Sequence, residues 1–160
     1  LMAILSNYSY LCDNQSFLDT TYKNSSKQFD FGKPTGCQWV KGGGGLGVHV
    51  GDVVDIPIMI KIMKWDTSTI TGMKAYIQVV TSDSATTTSP RVVSRLTLDS
   101  NTEIVGDLAH IRIVPDNVSR YIWLRVKMDY GSATTPTAAV FALDAFLGSV
   151  TGHGMMGHSK

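Results

Sequence analysis

The residues that invite a chemical reading first are Lys41 to Asp52, KGGGGLGVHVGD, in which Gly42, Gly44 and Gly47 satisfy G-x-G-x-x-G. Such a loop cradles phosphate when a strand leads into it and a helix leaves it, because the helix N-terminus then meets the pyrophosphate. Here the glycines lead into Val48-His49-Val50-Gly51-Asp52, which reads as the approach to a strand, and no Lys-Ser or Lys-Thr follows at Walker spacing. The run is therefore read as a loop that needs positive φ or freedom to move. The histidines are His49, His110, His153 and His158; the last two are five apart in GHGMMGHSK, with no carboxylate or thiol nearby in sequence, so a solvated tail is preferred to a metal site. No G-x-S-x-G elbow is present, neither Cys12 nor Cys37 has a catalytic signature, and Asp52, Asp55, Asp66 and Asp99 form no recognisable acid/base pair. No catalytic residue, metal or cofactor is expected.

The elements around these residues are strands. From Val54 to Ile62 every even position is apolar, a period of two with one buried face. Pro57 places that strand at an edge or a bulge. Met73, Ala75, Ile77 and Val79 alternate with polar residues, as do Ala109, Ile111 and Ile113, and Ile122, Leu124, Val126 and Met128. Val92, Leu96 and Leu98 share a face, and Thr137 to Leu147 makes a last strand whose alanines suit packing between sheets. Trp65 falls on the odd, less apolar side of its strand with Met59 and Met63. No segment has a capped 3.6 period. The expectation is an all-β chain, a jelly-roll-like sandwich of about eight antiparallel strands over residues 29–147, with an extended arm at 1–28 and a flexible Gly/Met-rich tail at 148–160.

Composition narrows the function classes. The 160 residues suffice for one domain with a two-layer core, and a formal net charge of +1 carries no footprint for nucleic acid or an acidic membrane surface. No apolar run reaches the length of a membrane span, and the first residues do not read as a signal peptide. Cys12 and Cys37 could form one bridge, but two free thiols in a reducing compartment are preferred. Tyr121, Trp123 and Arg125 lie opposite Ile122, Leu124 and Val126, and an outward strand face bearing aromatics and arginine is what a protein interface needs. The arm around Tyr8, Tyr10 and Phe17, and the loop glycines Gly42, Gly43, Gly44 and Gly45, are expected to add contacts.

Several stretches also match a family pattern. Val79-Val80-Thr81-Ser82-Asp83-Ser84 leads to Thr88-Ser89-Pro90, and Val118 to Val126, VSRYIWLRV, precedes a Gly/Thr-rich turn and a final Ala-rich strand ending in Asp144. Leu11 to Gln15 and Ser25 to Gly32 fit as well. Together, over about residues 11–147, they resemble the capsid cement, or stapling, proteins of tailed bacteriophages, of the Bordetella-phage type. This chain departs from the pattern in its longer glycine run, in Trp123, and in the tail past Gly148. The resemblance implies a jelly roll on the outside of an icosahedral head, made in the host cytoplasm. It would bridge neighbouring major capsid proteins and associate with itself as a homodimer or homotrimer, with no direct nucleic-acid or membrane partner. The competing expectation is a carbohydrate-binding sandwich, an adhesion or receptor module in which Trp65, Trp123 and the tyrosines stack on sugars.

Overall fold

Alternation of apolar and polar side chains gives each strand one face to bury, and two such sheets cover each other's apolar faces. The protein, described by a computed structural model over residues 10–30, 56–85, 89–113 and 118–147, is built in this way and contains no helix among those residues. The nine strands among the described residues are β1 (Tyr10–Phe17), β2 (Lys23–Asn24), β3 (Phe29–Asp30), β4 (Ile56–Trp65), β5 (Lys74–Ser82), β6 (Arg91–Asp99), β7 (Leu108–Ile113), β8 (Tyr121–Asp129) and β9 (Phe141–Leu147). One sheet has the order β1-β9-β4-β7; the other has β2-β8-β5-β6, with β3 also paired to β8. Every pairing is antiparallel.

The inward faces are those expected from period two. Ile58, Ile60 and Ile62 of β4 meet Leu143, Ala145 and Leu147 of β9 and Ile111 and Ile113 of β7. From the facing sheet, Ala75, Ile77 and Val79 of β5 and Ile122, Leu124, Val126 and Met128 of β8 close the core. Removing one isoleucine side chain of this kind from water is worth about 1.5–3 kcal/mol. Pro57 pairs with Arg112 of β7, and among the described residues pairing of β4 with β9 begins at Ile58.

Two bulges shift the faces that alternation alone predicts. Between Ile62 and Lys64 the register to β9 slips by one residue, with Met63 extra. Trp65, expected on the outer side, is thereby turned inward, where it is buried and packs edge-on against Phe141 with ring centroids 4.6 Å apart. A second slip, opposite Val79 and Val80, makes Val93 rather than Val92 pack on the core beside Leu96 and Leu98.

Residues 10–24, read from sequence as belonging to an extended arm, supply β1 and β2. Phe17 pairs with Phe141 and is 3% exposed in the core, so it is a packing residue and not a contact on a free arm. β1 carries its own bulge between Cys12 and Gln15, where Asn14 takes φ of 44°. Asparagine tolerates this left-handed conformation, and the Asn14 backbone N–H donates to the Asp144 carboxylate on β9. Tyr130 closes the far end by donating its hydroxyl hydrogen to the Leu18 carbonyl at 2.6 Å.

Cys12 is a free, fully buried thiol. Burial first, and then the Asp144 and Asp13 charges, push its pKa up from 9.0 to about 12. The neutral thiol is thus favoured in the fold. The linked stability is complete below the ordinary value of 9.0 and is lost as the pH rises from there through about 12. In a Cys37→Ser variant at pH 8, Cys12 should react with a thiol reagent about 100-fold or more slowly in the native protein than in denaturant, because thiolate and access are both lacking. Equal rates would show that β1 is not locked into the sheet.

Candidate functional site

The outer faces of the two sheets differ, and the difference follows from strand register. On the β1-β9-β4-β7 sheet, one row across all four strands is Tyr10, Phe146, Met59 and His110. Tyr10, Phe146 and Met59 are half-buried, and the Tyr10 and Phe146 rings are tilted against each other at 5.7 Å. The adjacent row is Asp144, Lys61 and Leu108. Leu108 is 61% exposed, and the preceding loop projects Ile104 and Val105 at 69% and 53%.

That loop is rigidly held. The Gly106 N–H donates to the Ile62 carbonyl at 2.8 Å, and the Ile62 N–H donates to the Asp107 carbonyl at 3.1 Å, so the loop extends the β4 ladder. The Ile104 N–H donates to the Asp107 carboxylate at 2.8 Å, and the Asp99 N–H donates to the Glu103 carboxylate at 2.6 Å. Gly106 has φ of 95°, a conformation closed to most side chains, which completes the turn. The backbone beneath the aliphatic tips is therefore already held by hydrogen bonds, which lowers the ordering cost of binding there. Sequence reading passed over these three residues. The available signal was a pair of branched aliphatics, Ile104-Val105, inside a polar turn where no buried strand was expected.

The outer face of the β2-β8-β5-β6 sheet is polar and cationic, and three expected interface residues lie on it. Trp123 is on the anticipated side of β8 but is fully buried outside the main core, beside Val80, and its indole N–H donates to the Asn24 side-chain oxygen at 3.1 Å. It cannot serve as an exposed anchor, because β2 runs alongside β8 and brings Asn24 over it. Tyr121 is half-buried, with the Arg120 guanidinium 4.8 Å from its ring centroid; Arg120 itself grips Asp30 of β3 through two bonds of 2.8 Å. Arg125 is half-buried with its guanidinium 5.2 Å from the centre of the Tyr22 ring. With Trp65 and Trp123 both buried, neither tryptophan can stack on a sugar.

Of the remaining expectations, Tyr8, Gly42, Gly43, Gly44 and Gly45, together with Cys37, His49, His153 and His158, lie outside the described residues. Among the described residues, no three His, Cys, Asp or Glu side chains gather into a metal-binding group. Thr81, a buried polar side chain, is spent on structure: its hydroxyl donates to the Tyr121 carbonyl at 2.7 Å and accepts the Ser119 N–H at 2.8 Å.

The class defined by this geometry is an antiparallel β-sandwich with one outer face bearing an apolar band and a projecting aliphatic loop, and the other polar and cationic. No known protein-family model matches the chain, and no curated protein matches it in sequence.

Proposed function

We propose that this chain is a structural cement or decoration protein, which binds the outside of a phage head and bridges neighbouring major capsid proteins. Two things support the reading besides the resemblance of the VTSDS and RYIWLR stretches. The strand order, β1-β9-β4-β7 over β2-β8-β5-β6 with β2 and β3 sharing one position, is the order a jelly roll uses. The observation that carries the reading is the rigid loop exposing Ile104, Val105 and Leu108 beside the Tyr10–Phe146–Met59 band.

A shell protein offering an apolar pocket would bury these tips, and the gain would be repeated at each equivalent position of the lattice. A contact that is weak singly becomes strong when a homodimer or homotrimer engages two or three sites at once. The mechanism is mechanical: each bridge adds to the free energy needed to pull adjacent capsomers away from each other under the pressure of packed DNA.

The test is co-sedimentation with isolated, expanded heads. Wild-type protein should travel with the heads. The triple variant Ile104→Asp/Val105→Asp/Leu108→Asp should bind about 100-fold more weakly or worse, since each buried aliphatic becomes a buried unpaired charge. Its thermal midpoint should change little, because the three side chains already face solvent. Wild-type protein left at the top of the gradient, or undiminished binding by the triple variant, would refute the reading.

A further inference from the structure

The face turned away from the aliphatic loop has a composition the shell-binding reading does not use. Register aligns its outward side chains in rows. At one end stand Asp99, Lys74 and Asp129, with Lys74 3.7 Å from the Asp99 carboxylate, so that row holds two carboxylates against one ammonium and leaves no free positive charge. The next row holds Tyr76 and Lys127, with Tyr22 beside them; the following row holds Arg95, Gln78 and Arg125. Arg95, Arg125 and Lys127 have no carboxylate within ion-pair distance among the described residues.

What holds Arg125 and Lys127 is aromatic instead. The Tyr22 ring has the Arg125 guanidinium 5.2 Å and the Lys127 ammonium 5.1 Å from its centre, and Lys127 also lies 5.3 Å from the centre of Tyr76. A ring face positions a cation without neutralising it, whereas a carboxylate would do both. The result is a preset pair of full positive charges on β8 around the Tyr22 ring, with the exposed Arg95 nearby on β6. Arg95 and Arg125 stand two strands apart, about 10 Å at ordinary sheet spacing, with Gln78 between.

We propose that this face binds an anionic polysaccharide, one carrying carboxylate or sulfate groups. Guanidinium groups bind both oxyanions in paired hydrogen bonds, and the half-buried Tyr22 offers a hydroxyl to sugar hydroxyls, while Gln78 between the arginines is buried. The breadth of the patch, three strands and two rows, suits an extended chain more than a single small ion. Single-stranded nucleic acid is the weaker candidate. Its bases need open ring faces for stacking, and here cations already lie over Tyr22 and Tyr76. The inference is independent of head binding, because it uses other residues on the other sheet.

The test is binding of the full chain to immobilised polygalacturonate, heparin, neutral dextran and poly(dT). Polygalacturonate or heparin should bind and weaken as salt rises, with the better of the two identifying the anionic group; dextran should not bind. Arg125→Gln/Lys127→Gln and, separately, the exposed Arg95→Gln should each lower affinity for the polyanion about tenfold or more, with melting temperatures near wild type. The triple aspartate loop variant should bind the polyanion normally. Absence of binding to both polyanions, full binding by both cation variants, or tighter binding to poly(dT) than to either polysaccharide would overturn the proposal.

Discussion

Replacing Trp123 with alanine should destabilise the fold by about 3–5 kcal/mol, the usual cost of emptying a fully buried tryptophan site. Against a total stability of about 5–15 kcal/mol, this single change removes a large share of what holds the domain together. Two effects combine. The indole is 0% exposed, so truncation leaves a void against Val80 on β5, and Asn24 loses the donor that ties β2 to the face of β8. Trp123→Phe should cost much less, because the ring volume is mostly kept and the exposed Asn24 oxygen can turn to water. Tyr121→Ala, two residues away on the same side of β8 and only half-buried, should cost about 1 kcal/mol or less. Urea denaturation checks all three: midpoints should rise in the order Trp123→Ala, Trp123→Phe, Tyr121→Ala, with little change in slope. A Trp123→Ala midpoint near wild type would mean that the indole is a surface group after all, as a simple outward-face reading of β8 supposes.

That contrast shows what sequence could and could not convey. The side of β8 to which Trp123 belongs was legible, since Ile122, Leu124 and Val126 fix the inward face. Its burial was not, because it depends on β2, a two-residue strand whose Lys-Asn sequence has no strand signature. The expected arm failed for a similar reason. β1, with Asp13, Asn14 and Gln15 in succession, lacks period two because a bulge at Asn14 interrupts its pairing. Where a strand was long and uninterrupted, as in β5 and β8, alternation identified the apolar inward residues, and missed only the buried Thr81 at the end of β5. The interface candidates divided along the same line. Tyr10 lies in the outer apolar band, whereas Phe17 belongs to the core. Ile104, Val105 and Leu108 were missed because exposure of an aliphatic residue is a property of the finished fold and not of a local pattern.

Unlike faces on one sandwich also bear on how the two proposed activities would coexist. The apolar band and loop sit on the β1-β9-β4-β7 sheet, and the uncompensated cations sit on the opposite one. A subunit docked through the first would present the second to solvent. Formal net charge is only +1, so any attraction of a polyanion comes from placement of the cations and not from an overall excess.

The bulge at Met63 yields the other large expected effect, a contrast between two single-residue deletions in one strand. Deleting Ile60 should abolish cooperative folding. β4 is paired on both sides there, with Ala109 of β7 and Ala145 of β9, so the chain cannot absorb the loss at a free edge. One residue fewer inverts the alternation on one side of the gap. If the bulge at Met63 takes up the slack, Ile62 turns outward and Lys61 inward; if the residues before the gap shift instead, Ile58 turns outward and Pro57 inward. Either way two isoleucines leave the core at about 1.5–3 kcal/mol each, and a lysine or a proline is forced into their place, which together approach the whole stability of an ordinary domain. Deleting Met63 should leave a folded protein. Ile62 faces Leu143, Lys64 faces Ala142 and Trp65 faces Phe141, so without Met63 the ladder runs on in unbroken register and Trp65 keeps its inward position. The Lys64 ammonium keeps its reach to the Ala139 carbonyl, since both lie on the far side of the deletion. What is lost is a half-buried methionine and the extra local twist of the bulge, a cost of about 1–3 kcal/mol. Thermal melts and amide spectra of the two variants separate these outcomes directly. If removal of Met63 unfolds the chain as completely as removal of Ile60, then the bulge, and not the alternation of isoleucines, is what holds β4 in place.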